Sequence, residues 1–98
     1  MSEYFTVSGT EIKDKAVSAD EKWDPIDLTS SDNLTVFIDS SVSCKLVIEV
    51  PDPDGDYHLA STYDHDADGD ATILAGRYTN IRFSVDTNTT LTAWYEES

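Results

Sequence analysis

The stretch over residues 78–96, YTNIRFSVDTNTTLTAWYE, constrains the fold more than any other part of the chain. Ile81, Phe83 and Val85 alternate with Asn80, Arg82 and Ser84, and Leu91, Ala93 and Tyr95 alternate with Thr92 and Trp94. Side chains on a strand point to opposite faces in turn. Period-two alternation on both sides of a polar break therefore reads as two strands, each apolar on one face. The break, Asp86-Thr87-Asn88-Thr89-Thr90, is made of turn formers, and the spacing predicts an antiparallel hairpin symmetric about Asn88. In that pairing Val85 faces Leu91, Phe83 faces Ala93 and Ile81 faces Tyr95 on the core side. Ser84–Thr92 and Arg82–Trp94 fall on the opposite side.

The same period recurs upstream. Residues 33–38 place Leu34, Val36 and Ile38 on one face, with Thr35 and Phe37 opposite. Residues 43–50 place Cys44, Leu46, Ile48 and Val50 inward, with Lys45, Val47 and Glu49 outward. Pro51 and Pro53 end that strand because proline cannot donate to a ladder, and Asp54-Gly55 marks a turn. Further strands are expected over 57–62 and 71–74, with an acidic loop over 64–70. Near the amino terminus, Ser8-Gly9 predicts a first hairpin between residues 3–7 and 10–17. The capping-box spacing over 18–21 is cut short by Pro25, so a loop pinned to the sheet by Trp23 and Ile26 is expected. Many short strands with almost no helix indicate an all-β chain: a single antiparallel β-sandwich of seven to eight short strands, of jelly-roll or Greek-key type, over residues 1–98.

Ninety-eight residues suit one domain with one modest core. No run of eighteen apolar residues exists and the amino terminus lacks the pattern of a secretory signal, so neither membrane spanning nor export is expected. Cys44 has no second thiol to pair with and alternates with the inward residues, which makes it a small buried hydrophobe. Fourteen Asp and six Glu face four Lys and two Arg, a formal charge of −14. That sign disfavours binding to nucleic-acid phosphates. Asp-rich, Lys-poor composition with eleven Thr is the surface chemistry of proteins from salt-loving organisms, or else of a calcium-binding module.

Candidate sites follow from these faces. Asp64, Asp66, Asp68 and Asp70 match the first half of a calcium loop, in which alternate carboxylates converge on one hard cation. Ala75 stands where the twelfth-place Glu of an EF-hand belongs, so the stretch is either a simpler loop for Ca²⁺ or other cations or a solvated acidic loop. Asp52-Pro53-Asp54-Gly55-Asp56 is a weaker copy, and the two could share an ion if they met. His58 and His65 match no zinc spacing, and no nucleophile elbow accompanies Ser61, so no catalytic residue is assigned. Arg82 and Trp94, an arginine and an indole on the non-core face, are typical anchors of protein contacts, and Tyr95 joins them as an interface candidate. The alternative is that a second sheet or the Trp23 loop covers them. Tyr63, Tyr78 and Phe37 stand between core rim and interface.

The carboxy-terminal run LAGRYTNIRFSVDTNTTLTAWYEE, with the strands from Lys45 onward, resembles the small β-sandwich virion proteins of tailed bacteriophages and tailed archaeal viruses. The resemblance lies in short strands followed by Ala75-Gly76-Arg77-Tyr78 and two more strands with an aromatic-rich end. It implies a non-enzymatic structural protein, a capsid decoration or turret subunit. Such a subunit is made in the host cytoplasm, resides in the virion, and acts as a homo-oligomer docked on other virion proteins such as the major capsid protein. With the acidic composition, it implies a virus of a halophilic archaeon. The alternative is a calcium-dependent β-sandwich binding module.

Overall fold

The computed structural model describes residues 2–27, 33–40, 42–65, 68–74 and 80–97, and these contain no helix. Eleven strands follow one another: β1 (Ser2–Tyr4), β2 (Thr6–Val7), β3 (Thr10–Glu11), β4 (Lys15–Val17), β5 (Ile26–Asp27), β6 (Asn33–Ser40), β7 (Cys44–Pro51), β8 (Tyr57–His65), β9 (Asp68–Leu74), β10 (Asn80–Val85) and β11 (Thr89–Glu97). One sheet runs β1-β11-β6-β9 with β4 also on β11, the second runs β5-β10-β7-β8, and β2 pairs with β3 alone. The chain is thus all-β and antiparallel. The eleven strands in three sheets among the described residues differ from the seven or eight strands of one sandwich that the pattern predicts.

Most of the excess comes from the first seventeen residues, which break into very short strands, and the rest from β5 in the segment expected to be a loop. β1 holds β11 at Trp94 and beyond, while β4 holds it at 89–91. Between them Phe5 donates to the Ala93 carbonyl (3.0 Å) and Ala93 donates to the Ile12 carbonyl (2.9 Å). The β2–β3 hairpin bulges out from this shared edge. Its turn has φ of 49° at Ser8 and 78° at Gly9, the positive pair that a two-residue hairpin turn with the twist of its strands requires.

The expected pairing of residues 81–85 with 91–95 is not observed. β10 pairs with β5 and β7, β11 pairs with β1, β4 and β6, and the two lie in different sheets. Their apolar faces are the ones predicted: Ile81, Phe83, Val85, Leu91, Ala93 and Tyr95 are all buried. They belong to different sheets of one core instead of sitting side by side. Alternation is identical in a hairpin and in an arch that crosses between sheets, so only the turn distinguishes them. Residues 86–90 lack the Asn-Gly or Asp-Gly of a tight hairpin. Instead Asp86 Oδ1 accepts from the Lys45 N–H on β7 (2.8 Å), and Asn88 Oδ1 accepts from the Ala19 N–H (2.7 Å). These bonds tie the crossing to its neighbours.

The inward residues of β6, β7, β10 and β11 form one cluster with Phe5, Ile12 and Trp23. Phe5 is its hub, with ring centroids 5.1 Å from Trp23, 5.0 Å from Phe83 and 4.7 Å from Tyr95. Trp23 donates its backbone N–H to the Phe83 carbonyl (2.9 Å), so residues 20–27 run along the edge of β10, and Trp23 and Ile26 are buried as expected. Asp24 clasps this segment to the β2–β3 hairpin. Its Oδ2 accepts from the Thr6 hydroxyl (2.6 Å) and from the Gly9 N–H (2.9 Å). Cys44 is buried, as its place in the alternation required, and burial pushes its thiol above the usual range.

Candidate functional site

The outer face of the first sheet carries a row of aromatic side chains across three strands. Tyr4 on β1 is paired in register with Trp94 on β11, and Trp94 with Phe37 on β6. All three are half-buried. The sequence puts them there because each breaks the inward alternation of its strand: Phe37 lies between Val36 and Ile38, and Trp94 between Ala93 and Tyr95. The Trp94 and Phe37 rings stack with centroids 5.3 Å apart and planes 8° from parallel. Lys13 Nζ sits 5.6 Å from the Tyr4 centroid, a cation over the ring face. Glu3, Tyr4, Asp39, Thr92 and Trp94 line a groove of about 470 Å³. Thr92 Oγ1 accepts from the Asp14 N–H (2.8 Å), which holds the 13–14 turn against one end of the row. Among the described residues, those lining the groove with Trp94 come from the first sheet and none from the second sheet or the Trp23 loop.

Arg82 lies on the outer face of the other sheet, so the whole core separates it from Trp94. Its Nη2 and Nε are 3.1 Å and 3.2 Å from Glu49 Oε1, and its guanidinium stacks 4.0 Å from the Tyr57 centroid. Lys22 Nζ reaches the same Glu49 oxygen at 3.2 Å. Arg82 therefore serves a cross-strand ion cluster, and the expected Arg82–Trp94 pair does not form. Tyr95, expected at an interface, faces inward instead. It is buried in the core, and its hydroxyl donates to Glu3 Oε2 (2.7 Å). Burial, then the Glu3 contact, pushes its phenol well above the ordinary tyrosine range. The reason was already present in the alternation, since Tyr95 shares its parity with Leu91 and Ala93. Tyr63, on β8, is exposed. Tyr78 lies outside the described residues.

Asp64, Asp68 and Asp70 lie in strands and not on one loop. Asp64 belongs to β8, where it pairs with Lys45 (Oδ1–Nζ 3.7 Å), while Asp68 and Asp70 belong to β9, opposite Asp39 and Phe37 of β6. Asp66 lies outside the described residues. Among the described residues no group of His, Cys, Asp or Glu could hold a metal ion. The second acidic stretch folds as a turn around its first residue. Asp52 Oδ1 accepts the N–H groups of Asp54 (2.9 Å) and Asp56 (3.0 Å), its Oδ2 lies 2.7 Å from His58 Nε2, and Gly55 supplies a φ of 90°. The His58 hydrogen bond first, with the two backbone donors, holds the Asp52 carboxyl below its usual range. This turn and Asp64 stand at opposite ends of β8, roughly 25 Å apart at about 3.3 Å per residue, so the two stretches do not share an ion.

Sheet order and outer-face chemistry together define a class: a small antiparallel β-protein whose two larger sheets enclose one core, with an aromatic row open on one outside face. Within that class the chain is similar in structure to the SPBc2 prophage-derived protein YomS. The two align with a TM-score of 0.68 over 100% of this chain and 94% of that one, at 15% sequence identity. That likeness is one of fold. No protein-family model matches the chain, and no curated protein matches it in sequence. Among the described residues no helix is long and apolar enough to cross a membrane.

Proposed function

We propose that the protein is a non-enzymatic structural component of a virus particle, a capsid decoration or turret subunit that works by docking on another virion protein such as the major capsid protein. The observation that carries this reading is the end-to-end likeness of fold to a prophage-derived protein. The strand order supports it. The chain passes between β4-β11-β6-β9 and β5-β10-β7-β8 in the manner of a double-sheet jelly roll, an architecture that builds viral capsid proteins. The aromatic row of Tyr4, Trp94 and Phe37 is the docking face, because aromatic side chains left half open on a rigid sheet desolvate at little entropic cost.

The host is a halophile, most simply a salt-loving archaeon. The chain has fourteen more acidic than basic residues, and no carboxylate is buried among the residues whose side chains are described. Trp94→Ala tests the docking face. The variant is expected to keep the melting behaviour of a folded protein in high salt and to lose occupancy on particles or on the isolated capsid protein. A variant that still binds its particle at full occupancy refutes the assignment.

A further inference from the structure

β8 ends the second sheet, and no described residue pairs with its outer edge. Every residue from 58 to 64 is exposed, on both faces of the strand. Leu59 (66% exposed) and Tyr63 (36%) are two of the three exposed large hydrophobics among the described residues. In a chain with twenty acids, residues 57–63 contain none. Edge strands are usually protected by lysine, proline or an inward charge, because their unpaired N–H and C=O groups template another strand. Here the only such device is a bulge at the register shift between Ile48 and Glu49.

We infer that β8 is the self-association edge of this protein, and that two copies join β8 to β8, antiparallel about a two-fold axis, into one continuous sheet. A second copy is the occupant that the charge pattern selects. Two bodies of charge −14 approach best along a strip free of carboxylates, and residues 58–63 of β8 are such an exposed run, with Asp64 at its end paired to Lys45. The uncharged strip gives a basic partner nothing to hold.

The register follows from the faces. Pairing with β7 puts Tyr57, Leu59, Thr62 and Asp64 on the outer side with Pro51, Glu49, Val47 and Lys45, and puts His58, Ser61 and Tyr63 on the inner side. A two-fold between Ala60 and Ser61 keeps each residue on its own face. Leu59 then lies opposite the partner's Thr62, His58 opposite the partner's Tyr63, and Tyr57 opposite the partner's Asp64. No carboxylate meets another, and an antiparallel edge is its own complement under this symmetry. This contact uses the edge of the second sheet, whereas the docking face belongs to the first, so either can fail alone.

Sedimentation velocity of the full chain, over a wide range of concentration, tests the proposal. Dimer is expected to increase between about 0.1 M and about 1 M NaCl, as the Debye length falls from about 10 Å to about 3 Å. Leu59→Lys should weaken association by about tenfold or more, since two copies enter the interface, and leave the circular dichroism melt unchanged. Adding Thr62→Glu to that variant should restore the dimer, because the new charges face each other across the two-fold. Thr62→Lys gives a second single variant if the first is unstable. Trp94→Ala should leave the dimer intact. A monomer at every salt and concentration overturns the proposal, and so does a dimer indifferent to both lysine variants.

Discussion

Phe5→Ala should be the most damaging single truncation near the amino terminus, although Phe5 lies in no strand. The ring is fully buried, and its three aromatic neighbours lie within 5.1 Å of its centroid. Buried Phe→Ala changes cost about 3–5 kcal/mol, a range that already contains aromatic-pair terms of about 0.5–1.5 kcal/mol each. A domain of this size has total stability of only about 5–15 kcal/mol at about 0.05–0.15 kcal/mol per residue. The substitution therefore removes about a fifth or more of what holds the fold. Urea unfolding, followed by Trp23 fluorescence at one fixed salt concentration, measures the loss. With a slope of about 1–2 kcal/mol/M, the midpoint should fall by about 1.5 M or more. Because Tyr4 precedes Phe5 and pairs with Trp94, the same variant should expose the row on the outer face and quench Trp94 more readily. A loss below about 1 kcal/mol would refute the reasoning, since a cavity in a close-packed core cannot be that cheap.

Two further predictions concern protons. Asp24 has its carboxyl lowered, chiefly by the Thr6 hydroxyl and then by the Gly9 N–H. Its stabilisation is therefore present above the unfolded carboxylate value and lost as pH falls through the lower folded one. Asp24→Asn should cost about 1–3 kcal/mol near pH 7 in urea melts and converge on the parent protein in strong acid, whereas a pH-independent difference would contradict the clasp. Tyr95 has its phenol raised, so its contribution holds below the unfolded value of about 10 and fades as pH climbs through the higher folded one. Ultraviolet titration should show one tyrosine ionising only with alkaline unfolding, and Tyr95→Phe should abolish that step.

Much of the molecule was legible in its residues because burial and period-two alternation are local. The inward sets of β6, β7, β10 and β11, the burial of Cys44, and the pinning of Trp23 and Ile26 all follow from which face of a strand is apolar. The Ser8-Gly9 hairpin follows from turn chemistry. Phe37 and Trp94 could likewise be found as aromatics standing on the polar side of an alternating strand.

What the residues alone could not decide is which strand lies beside which. Alternation assigns a face and never a neighbour, so the hairpin of 81–85 with 91–95 and the crossing between sheets satisfy one pattern equally. The choice rests on bonds between residues far apart in sequence, such as Asp86 to Lys45 and Asn88 to Ala19. Once β10 and β11 part, Arg82 and Trp94 go to opposite surfaces, Tyr4 and Phe37 become the neighbours of Trp94, and β8 is left with an edge that no described residue pairs. The composition determined an acidic, strand-built chain with one core. Long-range pairing, which no local signal encodes, decided which side chains share each outer surface.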